Sequence, residues 1–202
     1  MDQRYRDNQI MQAFANTPLR YGKGLPYEGG IRVPMIVRWS GTVKPGSQCD
    51  TPVHIVDIYP TFIEIAGGRP PSPDEHILDG LSLLNLLMGK RYLDRGALYF
   101  HMPLYDVLWG ATPCGVIRCG DWKLIEFFGD YIDRENNYRY MIGPRVELYN
   151  LKEDIGEEYN LAETYPEKTK ELLARLRTWR SSLNAPMPTK NPDYDPDRAL
   201  ER

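Results

Sequence analysis

In the run Pro18-Leu19-Arg20-Tyr21-Gly22-Lys23-Gly24-Leu25-Pro26-Tyr27-Glu28-Gly29-Gly30 a single lysine stands between two glycines. Glycine lets backbone amides approach a guest closely and takes positive φ without steric cost, and a lysine so flanked presents its ammonium uncrowded. The chemistry this suits is the holding of an oxyanion, phosphate or sulfate, by N–H donors at short range. A solvated turn is the plain alternative, since Gly-Lys-Gly also closes loops. His101, in Tyr99-Phe100-His101-Met102-Pro103, is the second candidate. It falls where a strand gives way to a long loop, and a neutral imidazole there can hydrogen-bond a sugar or an aryl alcohol. A histidine capping its own loop fits that position equally.

The remaining polar residues read as structural. Glu28 and Arg32 suit a local ion pair that fixes the lysine loop, Asp121 and Lys123 a turn with surface pairing, and Glu153-Asp154 with Glu157-Glu158 a solvated loop. His54 and His76 read as core or surface groups, and Trp179 as core. Cys49, Cys114 and Cys119 are three in number and give no disulfide framework.

These groups must be positioned by what 202 residues can build, which is one well-packed domain or a small domain with a remnant of a second. A hydrophobic content of 42% with 26% charged residues marks an ordinary globular chain. The net charge of −3, with signs mixed, argues against nucleic acid as a partner. No apolar run has the roughly 18–20 residues needed to cross a bilayer, and the start, Met1 to Asn8, lacks the apolar core of a secretory signal.

Residues 1 to 16 are polar without a period. The apolar and β-branched run Ile31 to Trp39 predicts a buried strand after a Gly29-Gly30 turn. Val53 to Ala66 predicts a helix with Ile55, Ile58, Phe62 and Ile65 or Ala66 on its buried side, Asp57 as N-cap and Gly67-Gly68 as its stop. A short apolar helix over Leu81 to Met88 ends at Gly89. Ala97–His101, Cys114–Arg118, Trp122–Phe128 and Val146–Asn150 read as strands, with Cys119-Gly120-Asp121 as a tight turn between the second and third. Thr164-Tyr165-Pro166-Glu167 has the form of a capping box opening a helix to about Leu183. Its Leu172, Leu176, Trp179 and Leu183 should cover one face of a small antiparallel sheet, and Pro186 to Pro196 should run extended along the surface.

The lysine segment, through Gly30-Ile31-Arg32-Val33-Pro34, resembles the lysine loop of the sulfatase family, with Tyr21 in place of the first of two glycines. The resemblance continues through Met35-Ile36-Val37-Arg38-Trp39, Val56-Asp57-Ile58-Tyr59-Pro60-Thr61, Ile117-Arg118-Cys119-Gly120-Asp121-Trp122-Lys123-Leu124-Ile125 and Glu147-Leu148-Tyr149-Asn150-Leu151-Lys152-Glu153-Asp154. It covers about residues 16 to 195 and corresponds to the C-terminal part of a family member. It implies an α/β fold: residues 1–92 as a remnant of an alkaline-phosphatase-like sulfatase catalytic domain, and residues 93–202 as a four-stranded antiparallel sheet packed on a C-terminal helix. The implied parent activity is hydrolysis of aryl or carbohydrate sulfates, by a formylglycine nucleophile and a calcium ion. Lys23 would bind sulfate and assist the leaving group, with His101 as a further substrate contact. The Asp7-Asn8 pair is similar to the family's calcium ligands, with Gln9 where glycine is usual, and no metal ligand is assigned in this chain.

The Cys/Ser-x-Pro-x-Arg motif that yields formylglycine is absent. Cys114-Gly115-Val116-Ile117-Arg118 has the end residues but lacks the proline. The expectation is therefore a chain that needs a missing N-terminal sulfatase portion, has little or no turnover alone, and belongs to a periplasmic or secreted parent. The implied partner is a sulfated small molecule or glycan. Two other readings stay open: a phosphoester hydrolase of the alkaline-phosphatase-like superfamily, and a non-catalytic binding module whose sheet is a docking surface.

Overall fold

A computed structural model describes residues 16–90, 92–106, 111–129, 131–133, 139–141, 143–189, 191–193 and 195. In chain order its elements are α1 (Glu28–Ile31), a 3-10 turn (Ile55–Asp57), α2 (Ile58–Ile65), α3 (Leu84–Leu87), β1 (Leu98–Met102), β2 (Cys114–Cys119), β3 (Trp122–Phe127), β4 (Tyr131–Asp133), β5 (Arg139–Met141), β6 (Arg145–Asn150) and α4 (Pro166–Ser182). They fall into two compact units, one formed by Met1–Val33 with Tyr99–Arg202, the other by Pro34–Leu98. The lysine loop thus groups with the sheet that follows it by some hundred residues, where the expected boundary at 92/93 grouped it with the first domain. Asp7 and Asn8 lie outside the described residues. Among those described, no helix is long and apolar enough to cross a membrane.

The four expected strands all form, in the order β1-β2-β3-β6. β2 and β3 are antiparallel, with Cys119 opposite Trp122, so only Gly120 and Asp121 make the turn. Gly120 has φ +58, the left-handed conformation that two-residue hairpin loops require. β6 returns antiparallel to β3, placing Ile125 opposite Glu147 and Lys123 opposite Tyr149. β4 and β5 pair with each other as a separate two-stranded sheet.

Alternation then divides the side chains between two faces. Ile117, Leu124 and Leu148, each fully buried, share a face with Glu126, and there α4 packs through its buried Leu172 and Leu176. Arg177 and Arg180 of α4 donate to Glu126 at 2.6–2.8 Å and fasten the helix to the sheet. The expected capping box is not made: the N-cap is Tyr165 without a side-chain cap bond, and Pro166 opens the helix at its first position, where its missing N–H is no loss. Trp179 is half-buried, stacked on Tyr99 of β1 with centroids 4.7 Å apart, and Leu183 is exposed beyond the helix end. The period therefore holds for two turns and lapses at the sheet's edge.

In the unit Pro34–Leu98, Asp57 is the centre of a polar bolt. Its carboxylate accepts from His54 N at 2.7 Å and Leu81 N at 2.9 Å and pairs with Arg95. The Thr61 hydroxyl donates to the Asp57 carbonyl at 2.5 Å and accepts from Leu83 N at 2.8 Å. Asp57 thus closes the 3-10 turn as its third residue, reciprocally with His54, rather than capping α2 with its side chain. The buried side of α2 holds Pro60 and Thr61, while Ile55, Phe62 and Ile65 of the expected core face are exposed. Ile31 to Trp39 forms no strand: Ile31 ends α1, and Val33 and Ile36 are 80% and 94% exposed. A strand needs a neighbour for its backbone groups, and among the described residues this run pairs with none.

Candidate functional site: the lysine loop and its buried anchor

Close backbone packing, more than turn formation, explains the glycine pair. A Cβ on Gly29 would lie 2.2 Å from the Tyr21 carbonyl oxygen, and one on Gly30 would lie 2.1 Å from that of Leu25. Both contacts are impossible for a side-chain carbon, so the loop folds flat on itself only with glycine at both positions. Gly29 N donates to Arg20 O at 3.0 Å, Asn16 Nδ2 to Gly29 O at 2.6 Å, and Gly30 N to Tyr27 O at 2.8 Å. Ahead of this knot Tyr21 has φ +57 and Gly24 φ +93. Tyr21 thus occupies, with a side chain, a conformation that favours glycine. Between them Lys23 is exposed.

The rest of the loop covers the second face of the sheet. Leu25 and Tyr27 join Cys114, Val116, Ile125, Phe127, Tyr149 and Leu151 in one apolar cluster. On the same face, by alternation from Ile125, lies Lys123, whose side chain is fully buried. Its ammonium stands 3.0 Å from Glu28 Oε1 and 2.8 Å from Glu157 Oε1, both carboxylates being closed to solvent. Arg118 of β2 adds a contact to Glu28 Oε2 at 3.2 Å. Glu157 Oε2 accepts from Glu28 N at 2.6 Å. Burial pushes the Glu157 carboxyl above its ordinary range, with Lys123 pulling the other way.

A second polar group flanks the first. Tyr27 donates to Glu147 Oε2 at 3.0 Å and Tyr149 donates to the same oxygen at 2.8 Å. Arg145 pairs with Glu147 as well. Arg20 donates to the Tyr149 hydroxyl at 3.0 Å and to the Glu157 carbonyl at 2.5 Å, with its guanidinium over the Tyr27 ring at 4.3 Å. Burial pushes Tyr149 up to about 12 and Tyr27 upward too, so both phenols stay protonated donors.

Three assignments are corrected here. Glu28 pairs with Lys123 and Arg118, while its expected partner Arg32 is exposed. Lys123 is a core cation and not a surface group. Glu157 is buried, although Glu153 and Glu158 beside it are exposed as expected. One signal was available in the sequence: Lys123 alternates with Ile125 and Phe127, which marks a buried face. Nothing local distinguishes Glu157 from its acidic neighbours.

His101 lies on the other side of the sheet, two residues along β1 from Tyr99, which stacks on α4. Its Nε2 is 2.7 Å from the Pro186 carbonyl and its ring lies 5.5 Å from Phe128. The two sequence candidates, Lys23 and His101, are thus brought to opposite faces. Cys114 is buried in β2 and burial pushes its thiol up to about 12. His54 caps the 3-10 turn and His76 is exposed. Among the described residues no group of three or more His, Cys, Asp or Glu could hold a metal ion.

Residues 20–183 match the family described as N-sulphoglucosamine sulphohydrolase, C-terminal. A sulfatase of Formosa agariphila is 38% identical over 194 residues, covering 90% of this chain and 33% of that protein. Arylsulfatase A of Bos taurus is 31% identical over 169 residues, covering 79% and 32%. A solved protein in complex with its substrate D-glucosamine-2-N,6-O-disulfate superposes with a TM-score of 0.63 at 30% identity, over 80% of this chain and 30% of that one. The chain spans about a third of the length of the curated relatives it matches. With the family match over residues 20–183 and these identities, the chain belongs to the sulfatase family as a C-terminal region of the N-sulphoglucosamine sulphohydrolase type.

Proposed function

We propose that this chain serves a sulfate-ester hydrolase, and that Lys23 is its substrate-binding ammonium. The observation that supports this reading is an exposed lysine on a loop whose two shoulders are both pinned to the buried Glu157, one at its carbonyl and one at its carboxylate. An ammonium held so can donate to sulfate oxygens and meet the negative charge that grows on the ester oxygen as its bond to sulfur breaks. The substrate class is a sulfated aryl alcohol or carbohydrate, the chemistry of the protein solved with D-glucosamine-2-N,6-O-disulfate. The formylglycine and calcium implied by the resemblance are assigned to the part of the relatives' length that this chain does not span. His101 is given a positional role, holding the chain at Pro186.

The test is turnover by a full-length enzyme carrying this region, on 4-nitrophenyl sulfate, sulfated glucosamine and 4-nitrophenyl phosphate. Sulfates should be hydrolysed and phosphate spared, with Lys23→Ala lowering kcat/KM by about 10²–10³-fold at an unchanged melting temperature. Preferential phosphate hydrolysis, or full activity of the alanine variant, would overturn the reading. The 202-residue chain alone should show little or no turnover.

A further inference from the structure

Glu157 grips the lysine loop on both sides of Lys23. Its carbonyl takes the Arg20 guanidinium at 2.5 Å, three residues before Lys23, and its carboxylate takes the Glu28 amide at 2.6 Å, five residues after. One residue can do both because its backbone is left-handed, at φ +52, a conformation that costs a side-chain-bearing residue and persists where surrounding contacts enforce it. The carboxylate is then buried beside that of Glu28, an arrangement stable only with compensating positive charge. Lys123 provides it to both carboxylates, and Arg118 to Glu28. The opposite charges are matched, Glu28 and Glu157 against Lys123 and Arg118. These contacts hold the loop at Arg20 and at Glu28 and so limit where it can sit.

We infer that Glu157, neutralised by Lys123, is a positioning residue for Lys23, fixing the height and direction at which the loop presents its ammonium. The inference rests on the sulfate-ester reading for its effect on rate, and on contacts alone for its effect on the loop. An ammonium displaced by about 1 Å from a reacting group can cost on the order of 10²-fold in rate. The expected kinetic mark of Glu157 is therefore a fall in kcat with little change in KM.

Two measurements test this. In the chain itself, Glu157→Ala should speed amide hydrogen exchange across residues 20–30 by about tenfold or more while residues 166–182 keep their protection, and Glu157→Gln, which retains an acceptor for the Glu28 amide, should lie between alanine and wild type. In the full-length enzyme, Glu157→Ala should lower kcat by about tenfold or more, with no further loss when it is added to Lys23→Ala. Unchanged exchange in the loop, equal loosening of the helix, or multiplying losses in the double variant would each overturn the inference. If Lys23→Ala alone leaves kcat intact, the hydrolase reading falls, and the exchange result still decides whether Glu157 positions the loop.

Discussion

Lys123 Nζ lies 3.0 Å from Glu28 Oε1 across 95 positions of sequence, with both side chains buried. The pair joins the loop motif Tyr27-Glu28-Gly29-Gly30 to the hairpin motif Gly120-Asp121-Trp122-Lys123, two blocks with no visible relation along the chain. Tyr27 does the same for Glu147 of the last strand. The three blocks are one construction. Removing a partner should therefore be costly: Lys123→Met leaves Glu28 and Glu157 buried without their shared cation and should destabilise the chain by about 3–5 kcal/mol, read as a fall in the urea midpoint. Combining it with Glu28→Gln and Glu157→Gln should recover part of the loss.

Gly29→Ala should be worse than Gly41→Ala. The added carbon meets the Tyr21 carbonyl at 2.2 Å in the first case and nothing within 4 Å in the second, where φ is +84. Left-handed strain alone costs about 1–2 kcal/mol, and overpacking against backbone adds about 1–3 kcal/mol. Urea unfolding of the two variants side by side checks the order.

Glu157 should give the chain a pH signature. Burial raises its folded pKa above the unfolded value, so the carboxyl holds its proton to higher pH in the fold than in the unfolded chain. That contribution is complete below the unfolded value, near 4.5, and is lost as pH rises through the raised folded value. The melting-temperature difference between wild type and Glu157→Gln should shift toward the wild type on the acid side of this window. A difference independent of pH from 4 to 8, roughly the range in question, would contradict it.

Iodoacetamide at neutral pH should modify Cys49, which is exposed, and spare Cys114, whose thiol is buried and pushed up to about 12. Peptide mass mapping before and after unfolding in urea reads this directly. Labelling of folded Cys114 would contradict its placement in β2.

The large apolar groups exposed at Val33, Ile36 and Phe62 should bind a hydrophobic dye such as ANS. Ile36→Ser and Phe62→Ser should lower that fluorescence and change the unfolding free energy by no more than about 0.5 kcal/mol, the usual range for surface substitutions.

Local patterns in the sequence were enough to determine the four strands, the Gly120 turn, the terminal helix and the lysine between glycines. Two-residue and 3.6-residue periods, and the steric freedom of glycine, act within a few positions of chain. The tertiary structure decided what those patterns face. A period shows that a helix or strand has an apolar side without naming its cover, so the Phe62 and Ile65 side of α2 is exposed and, among the described residues, Ile31 to Trp39 finds no strand to pair with. Charge choice is still less local: Glu28 had Arg32 within reach along the chain, yet its partners are Arg118 and Lys123. In a dry site a cation already buried on the sheet face is worth far more to a carboxylate than one that keeps its water, and only folding brings the two together.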